Sequence, residues 1–140
     1  SYESLYFYNV YGPGHIRTGP MATVIGIFEK LYEEKKPLTV VLPGTQSRKF
    51  THVNDTIKGC LYAWKKNKNR HYTLSNTRSY TIFQVAKFFT NNLRTLPPKL
   101  GEREKSSIVK KIGKLKIYSL KCKINLKSYI EDFKKKCENK

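Results

Sequence analysis

The period of the apolar positions changes several times along the chain and divides it into strand-like and helix-like pieces. Residues 4 to 11, inside "SLYFYNVYGPGHIRTG", read as one strand running into a glycine-rich bend. In Thr23 to Lys35, "TVIGIFEKLYEEK", Val24, Ile27, Phe28 and Leu31 recur at helical spacing with charges opposite, which predicts an amphipathic helix halted before Pro37. "LTVVL" comes next as a short buried strand. After the turn at Pro43 and Gly44, "RKFTHV" alternates as a strand, and Asn54 is expected to cap a helix through Trp64. "HYTLS" predicts another strand. Thr81 with Gln84 forms a capping box for a helix over "IFQVAKFFTNNL", Pro97, Pro98 and Gly101 mark an irregular stretch, and Asn125 caps a last helix, "LKSYIEDFKKKCE".

Strands and helices alternate without repeats or a low-complexity linker, so the expected fold class is α/β, or α+β for a substrate domain: a small mixed sheet with flanking helices. A length of 140 residues suits one domain, and 39% apolar with 13% aromatic residues is enough to fill a core. The N-terminus lacks the basic start and apolar core of a signal peptide, and no apolar run reaches membrane-spanning length; a soluble, cytoplasmic protein is expected. The chain starts at Ser1, without an initiator Met and almost inside a strand, which suggests a piece of something longer.

Cysteine and charge narrow the picture further. Cys60, Cys122 and Cys137 are odd in number, far apart, and form no metal-spaced set with His15, His52 and His71, so a reducing compartment and no structural zinc are expected. Cys60 falls at helical spacing with Ile57, Leu61 and Trp64 and reads as a small buried apolar residue. The formal charge of +18 argues for a polyanionic partner. Its distribution matters, however: residues 1 to 98 and 99 to 140 each carry 14 Lys or Arg against 5 acids, so the C-terminal 42 residues are denser, and much of the charge is scattered lysine. No helix-turn-helix, zinc-finger or RNP-type pattern accompanies it, which disfavours specific nucleic-acid recognition, although a stand-alone basic module for nucleic acid or another polyanion stays open as the rival function.

Gly12, Gly14 and Gly19 miss the G-x-G-x-x-G spacing, Pro13 and Pro20 interrupt the amides that would cradle a pyrophosphate, and no P-loop motif occurs. Tyr32 with Lys36, and Tyr62 with Lys66, imitate a catalytic Tyr-x-x-x-Lys pair. Ten tyrosines among so many lysines make such spacings by chance, and neither has an upstream strand hydroxyl. In "PGTQSRKFTHVND", Arg48 stands at the mouth of a strand, where its guanidinium could fork onto a diphosphate; a solvated turn arginine is the plainer reading of this motif alone.

"YNVYGPG" (8 to 14), a helix, "PLTVVLPGTQSRKFTHVNDTIKG" (37 to 59), "YTLSN" (72 to 76), "PPKLGEREKSS" (97 to 107) and a final helix, in that order, resemble the C-terminal portion of extended short-chain dehydrogenase/reductases. They are most like NAD-dependent nucleotide-sugar epimerases and dehydratases of the UDP-glucose 4-epimerase type. The resemblance implies a substrate-binding domain of a Rossmann-type enzyme over residues 1 to 140, with residues 4 to 11 a strand of a nucleotide-binding domain that lies elsewhere. It implies Phe7 and Tyr8 near the nicotinamide of NAD, Asn9 and Arg48 on the diphosphate of a nucleotide sugar, and backbone groups of Thr39, Val40 and Val41 against the base. Lys99 stands where the family places a second phosphate-binding arginine, and Glu102 where a carboxylate holds the ribose hydroxyls. Tyr6 replaces the family's arginine and Lys49 its aspartate, which makes this region more positive. The cofactor's glycine loop and the catalytic Tyr-x-x-x-Lys would lie outside the chain. The 140 residues alone are therefore expected to be inactive, with a companion nucleotide-binding domain as partner and homodimer formation left open.

Overall fold

The structure, a computed structural model, describes residues 1–98, 101 and 110–139. In chain order the elements are β1 (Ser4–Phe7), β2 (Val10–Tyr11), α1 (Val24–Glu33), β3 (Leu38–Val41), β4 (Ser47–Arg48), β5 (Thr51–His52), α2 (Val53–Lys66), β6 (His71–Asn76), β7 (Tyr80–Thr81), α3 (Ile82–Phe89), β8 (Leu93–Leu96), β9 (Lys111–Ile112), β10 (Leu115–Cys122) and α4 (Leu126–Glu138). The main sheet has the order β1-β6-β10-β9, its first three strands parallel and β9 antiparallel. Three two-stranded pairs surround it: β2 with β5, β3 with β8, and β4 with β7. The expected α/β class and the mixed sheet with flanking helices are what the chain forms.

The expected strand over residues 4 to 11 is broken. Asn9 takes a left-handed backbone (φ 44°), which asparagine tolerates better than most residues. Its carbonyl accepts from Thr51 N–H at 3.2 Å, so the chain leaves the ladder with β6 and pairs with β5 instead. "RKFTHV" likewise splits into β4 and β5, and Val53 is already helical. His52, not Asn54, caps α2: its Nδ1 accepts the Asn54 N–H at 3.1 Å. The third helix stops at Phe89, and Leu93–Leu96 becomes β8. Two poor helix formers, Asn91 and Asn92, offer the break, and β3 supplies a ladder that helical residues could not satisfy.

The helix caps are local and obey their sequence signals. Thr23 accepts from Gly26 N–H, Thr81 and Gln84 close a reciprocal capping box, and Asn125 accepts from Lys127 and Ser128 N–H. The core lies where α1, α3 and α4 meet β3; Ile25, Phe28, Val40, Val85, Phe89 and Ile130 are all nearly inaccessible there. On the other side of the molecule α2 packs on the main sheet, though not with its apolar stripe. Its buried residues are Asp55, Thr56, Gly59 and Ala63, whereas Ile57, Leu61 and Trp64 are exposed and Cys60 is half-buried rather than buried. A Cβ at Gly59 would run into the Leu74 side chain, so this glycine sets the close approach of helix to sheet. The Asp55 carboxylate completes that contact by accepting from Lys123 and Ile124 N–H at 2.7 and 2.8 Å.

Candidate functional site

A cleft opens where the exit of β1, the N-terminus of α1 and the 43–48 turn meet. Its larger chamber, about 550 Å³, is lined by the loop before α1, by Thr39 and Val41 of β3, and by Gln46. A smaller one, about 230 Å³, is lined by Asn9, Arg48 and the start of α1. Val24 and Ile82 belong to both linings, so the chambers adjoin.

Each wall has a local cause. The 43–48 turn needs Gly44, which has φ 69° and no room for a Cβ against the Phe83 ring. The turn is clamped on α3 by Ile82 N–H to the Gln46 carbonyl and Phe83 N–H to the Gly44 carbonyl, both 3.1 Å. β4 then pairs Arg48 with Tyr80 of β7, and the Arg48 guanidinium donates to the Ser47 carbonyl at 3.0 Å. Asn9 donates from Nδ2 to the Lys49 carbonyl at 3.3 Å. The loop before α1 is held by a buried carboxylate: Glu29, 4% exposed, accepts from Tyr129 Oη at 2.8 Å and lies 2.8 Å from His15 Nε2. His15 Nδ1 faces the Gly12 N–H, so the Nε2 proton is the one directed at Glu29. Burial and that contact with Glu29 both push the Tyr129 phenol above its ordinary value, so it stays a neutral donor.

The electrostatics suit an anion in the smaller chamber. Arg48 faces the first turn of α1, whose leading N–H groups have no partner within the helix and whose first turn carries no acid. In the larger chamber, β3 uses one edge for β8: Leu38 N–H donates to Asn92 and Leu42 N–H to Leu96. Alternation then turns the N–H groups of Thr39 and Val41 to its other edge. The Val40 side chain points the opposite way, into the core.

Gln46 was not among the residues expected from sequence. It is 2% exposed and lines the larger chamber, its Nε2 reaching the Val41 carbonyl at 3.5 Å and its Oε1 having no hydrogen-bond partner among the described residues. The signal in the sequence was weak: Gln46 stands in the turn just before β4, two residues from Arg48, with nothing local to mark it as buried. Phe7 and Tyr8 sit at the C-terminal end of β1 and line neither chamber. Lys99 and Glu102 lie outside the described residues. Among the described residues no group of three or more His, Cys, Asp or Glu could hold a metal ion, and no helix is long and apolar enough to cross a membrane.

The sequence model of the NAD dependent epimerase/dehydratase family matches residues 1–75, more than half of the chain. The chain belongs to that family. No curated protein matches it. Among solved structures, the UDP-glucose 4-epimerase of Thermotoga maritima, solved with UDP-glucose, is 24% identical with a TM-score of 0.77, over 96% of this chain and 46% of that one. The UDP-N-acetylglucosamine 4-epimerase of Methanobrevibacter ruminantium M1, in complex with UDP-N-acetylmuramic acid, is 19% identical with a TM-score of 0.76, over 98% and 45%. A UDP-glucuronic acid 4-epimerase from Bacillus cereus is 24% identical with a TM-score of 0.73, over 98% and 45%. The fold is thus that of Rossmann-type epimerases, and the chain spans less than half the length of these structures.

The loop between β2 and α1 runs from Gly12 to Thr23, far longer than the tight strand-to-helix turn that cradles a dinucleotide pyrophosphate.

Proposed function

We propose that the chain is the C-terminal, substrate-binding portion of a cytoplasmic NAD-dependent nucleotide-sugar epimerase or dehydratase that acts at C4 of the sugar by transient oxidation. One observation carries the reading: Asn9, at the break between β1 and β2, and Arg48, on β4, line a single chamber that adjoins a larger one edged by β3. The smaller chamber takes the diphosphate, with the Arg48 guanidinium forking onto it and the first-turn amides of α1 facing its charge. The larger chamber takes the nucleoside, its base against the outer edge of β3 and a hydroxyl of its ribose donating to the Gln46 carbonyl. Lys99 and Glu102 would add a second cation and a ribose contact.

NAD, held mainly by a companion nucleotide-binding domain, would supply the hydride acceptor. This chain's part is to fix the nucleotide, so that binding energy far from the reacting carbon orients the sugar. Phe7 and Tyr8 wall the nicotinamide, and the outer edge of β1 continues the companion's parallel sheet.

Calorimetric titration of the chain with UDP and with a single-stranded oligonucleotide, each at two salt concentrations, tests the reading. UDP should saturate one site, with the weak salt dependence of about two phosphate contacts, and UDP-glucose should not turn over. A steep salt dependence with oligonucleotide binding alone, or turnover by these residues alone, would overturn it in favour of a basic polyanion module or a self-sufficient enzyme.

A further inference from the structure

A third cavity lies on the opposite face of the main sheet from α2 and shares no lining residue with the cleft. It measures about 340 Å³, between the ends of β6 and β10 and under Lys49. Arg48, the last residue of β4, lines the cleft, and Lys49, the residue that follows it, lines this cavity instead. Thr73 and Ser75 of β6 and Ser119 of β10 contribute hydroxyls to it, and Lys110 a second ammonium.

Several of its polar groups are already engaged. The Ser75 hydroxyl already donates to the Asn76 carbonyl at 3.1 Å, and Asn76 Nδ2 is taken by the Ile124 carbonyl at 3.1 Å. Asn76 Oδ1 accepts from Arg78 N–H at 3.1 Å. Thr73 differs: it is 5% exposed, and its hydroxyl has no hydrogen-bond partner among the described residues. Leaving a buried hydroxyl unpaired costs about 1–3 kcal/mol, so the position calls for a partner. Among the described lining residues there are two ammonium groups and no carboxylate. The hydroxyls can donate or accept, so the sign of the site is set by the two ammonium groups, which favour an anion over a neutral sugar.

We propose that this cavity binds an oxyanion of phosphate size, either inorganic phosphate or the phosphate of a monoester, held by the Lys49 ammonium and the Thr73 hydroxyl. The site is separate from the nucleotide cleft, and UDP affinity reports on the cleft independently.

The test is calorimetric titration of the chain with inorganic phosphate and with glycerol 3-phosphate at constant ionic strength set with chloride, repeated on three variants. Lys49→Met should weaken phosphate binding about tenfold, the scale of one charge-assisted hydrogen bond. Lys58→Met removes the same charge from an exposed position on α2, on the other face of the sheet, and should leave the affinity unchanged. Thr73→Val should weaken binding severalfold while the melting temperature without phosphate holds or rises, since an unpaired buried hydroxyl is removed. A lone preference for glycerol 3-phosphate would identify the monoester as the ligand, and equal affinity the inorganic ion. Equal effects of Lys49→Met and Lys58→Met, or no saturable binding, would reduce the cavity to surface charge and overturn the proposal, even if Thr73→Val failed to fold.

Discussion

Asn9 donates its side-chain amide to the Lys49 carbonyl at 3.3 Å, one residue past Arg48, and so ties the exit of the first strand to the strand that carries the guanidinium. The left-handed Asn9 backbone and the β4 register therefore define the smaller chamber together. Replacing Arg48 by Ala should weaken UDP binding roughly 10- to 100-fold, and Arg48→Lys should restore only part of it, because an ammonium keeps the charge and loses the fork. Asn9→Ala should cost about tenfold, and the double variant less than the product, since the two residues share one backbone link. Calorimetry on the four proteins measures the coupling; strictly multiplicative losses would separate the two residues.

Gln46 carries a buried carbonyl oxygen without a partner among the described residues, so stability and binding should move in opposite directions. Gln46→Leu is expected to hold or raise the melting temperature while UDP affinity drops about tenfold and affinity for inorganic pyrophosphate stays constant. A parallel loss with both ligands would mark the residue as a prop for Arg48 instead of a nucleoside contact.

His52 is 6% exposed, and burial lowers its pKa below the ordinary 6.5, with the nearby Asp55 charge opposing in part. A depressed folded-state pKa means that the unfolded chain takes up the proton first, so the contribution is present above 6.5 and lost as pH falls below it. Protonation would also place a hydrogen on the Nδ1 that caps α2. His52→Asn keeps a capping side chain without a titrating group. Its melting temperature should decline less than that of the parent between about pH 7 and about pH 5. Identical slopes in the two melting series would remove His52 as the source.

Gly59→Ala is expected to destabilise the fold by about 1–3 kcal/mol, despite the gain of about 1 kcal/mol in helix propensity, because the added methyl meets the Leu74 side chain. Urea denaturation reads the difference. Combining it with Leu74→Ala should recover part of the loss if contact between these two residues is the cause.

Local chemistry made much of the chain legible in advance. Thr23, Thr81 with Gln84, and Asn125 cap their helices because a cap depends on residues two or three positions away, and α1 turns Phe28 inward because its period is helical. Of the candidate site, Arg48 was marked by its residue type at a strand mouth and Asn9 by the family resemblance, and the structure lines one chamber with both. Contacts distant in sequence decided the rest. Asn9 breaks its strand because the Thr51 N–H offers its carbonyl a partner, residues 93 to 96 become extended because β3 needs a ladder, and α2 buries Gly59 because Leu74 leaves no room for a side chain and Asp55 because the Lys123 and Ile124 N–H groups need an acceptor. Gln46 and Thr73 are ordinary polar residues in the sequence. Only burial against groups far along the chain left each, in the lining of a cavity, with an oxygen unpaired among the described residues, and hydrogen-bond satisfaction is a property of the assembled interior that no local pattern encodes.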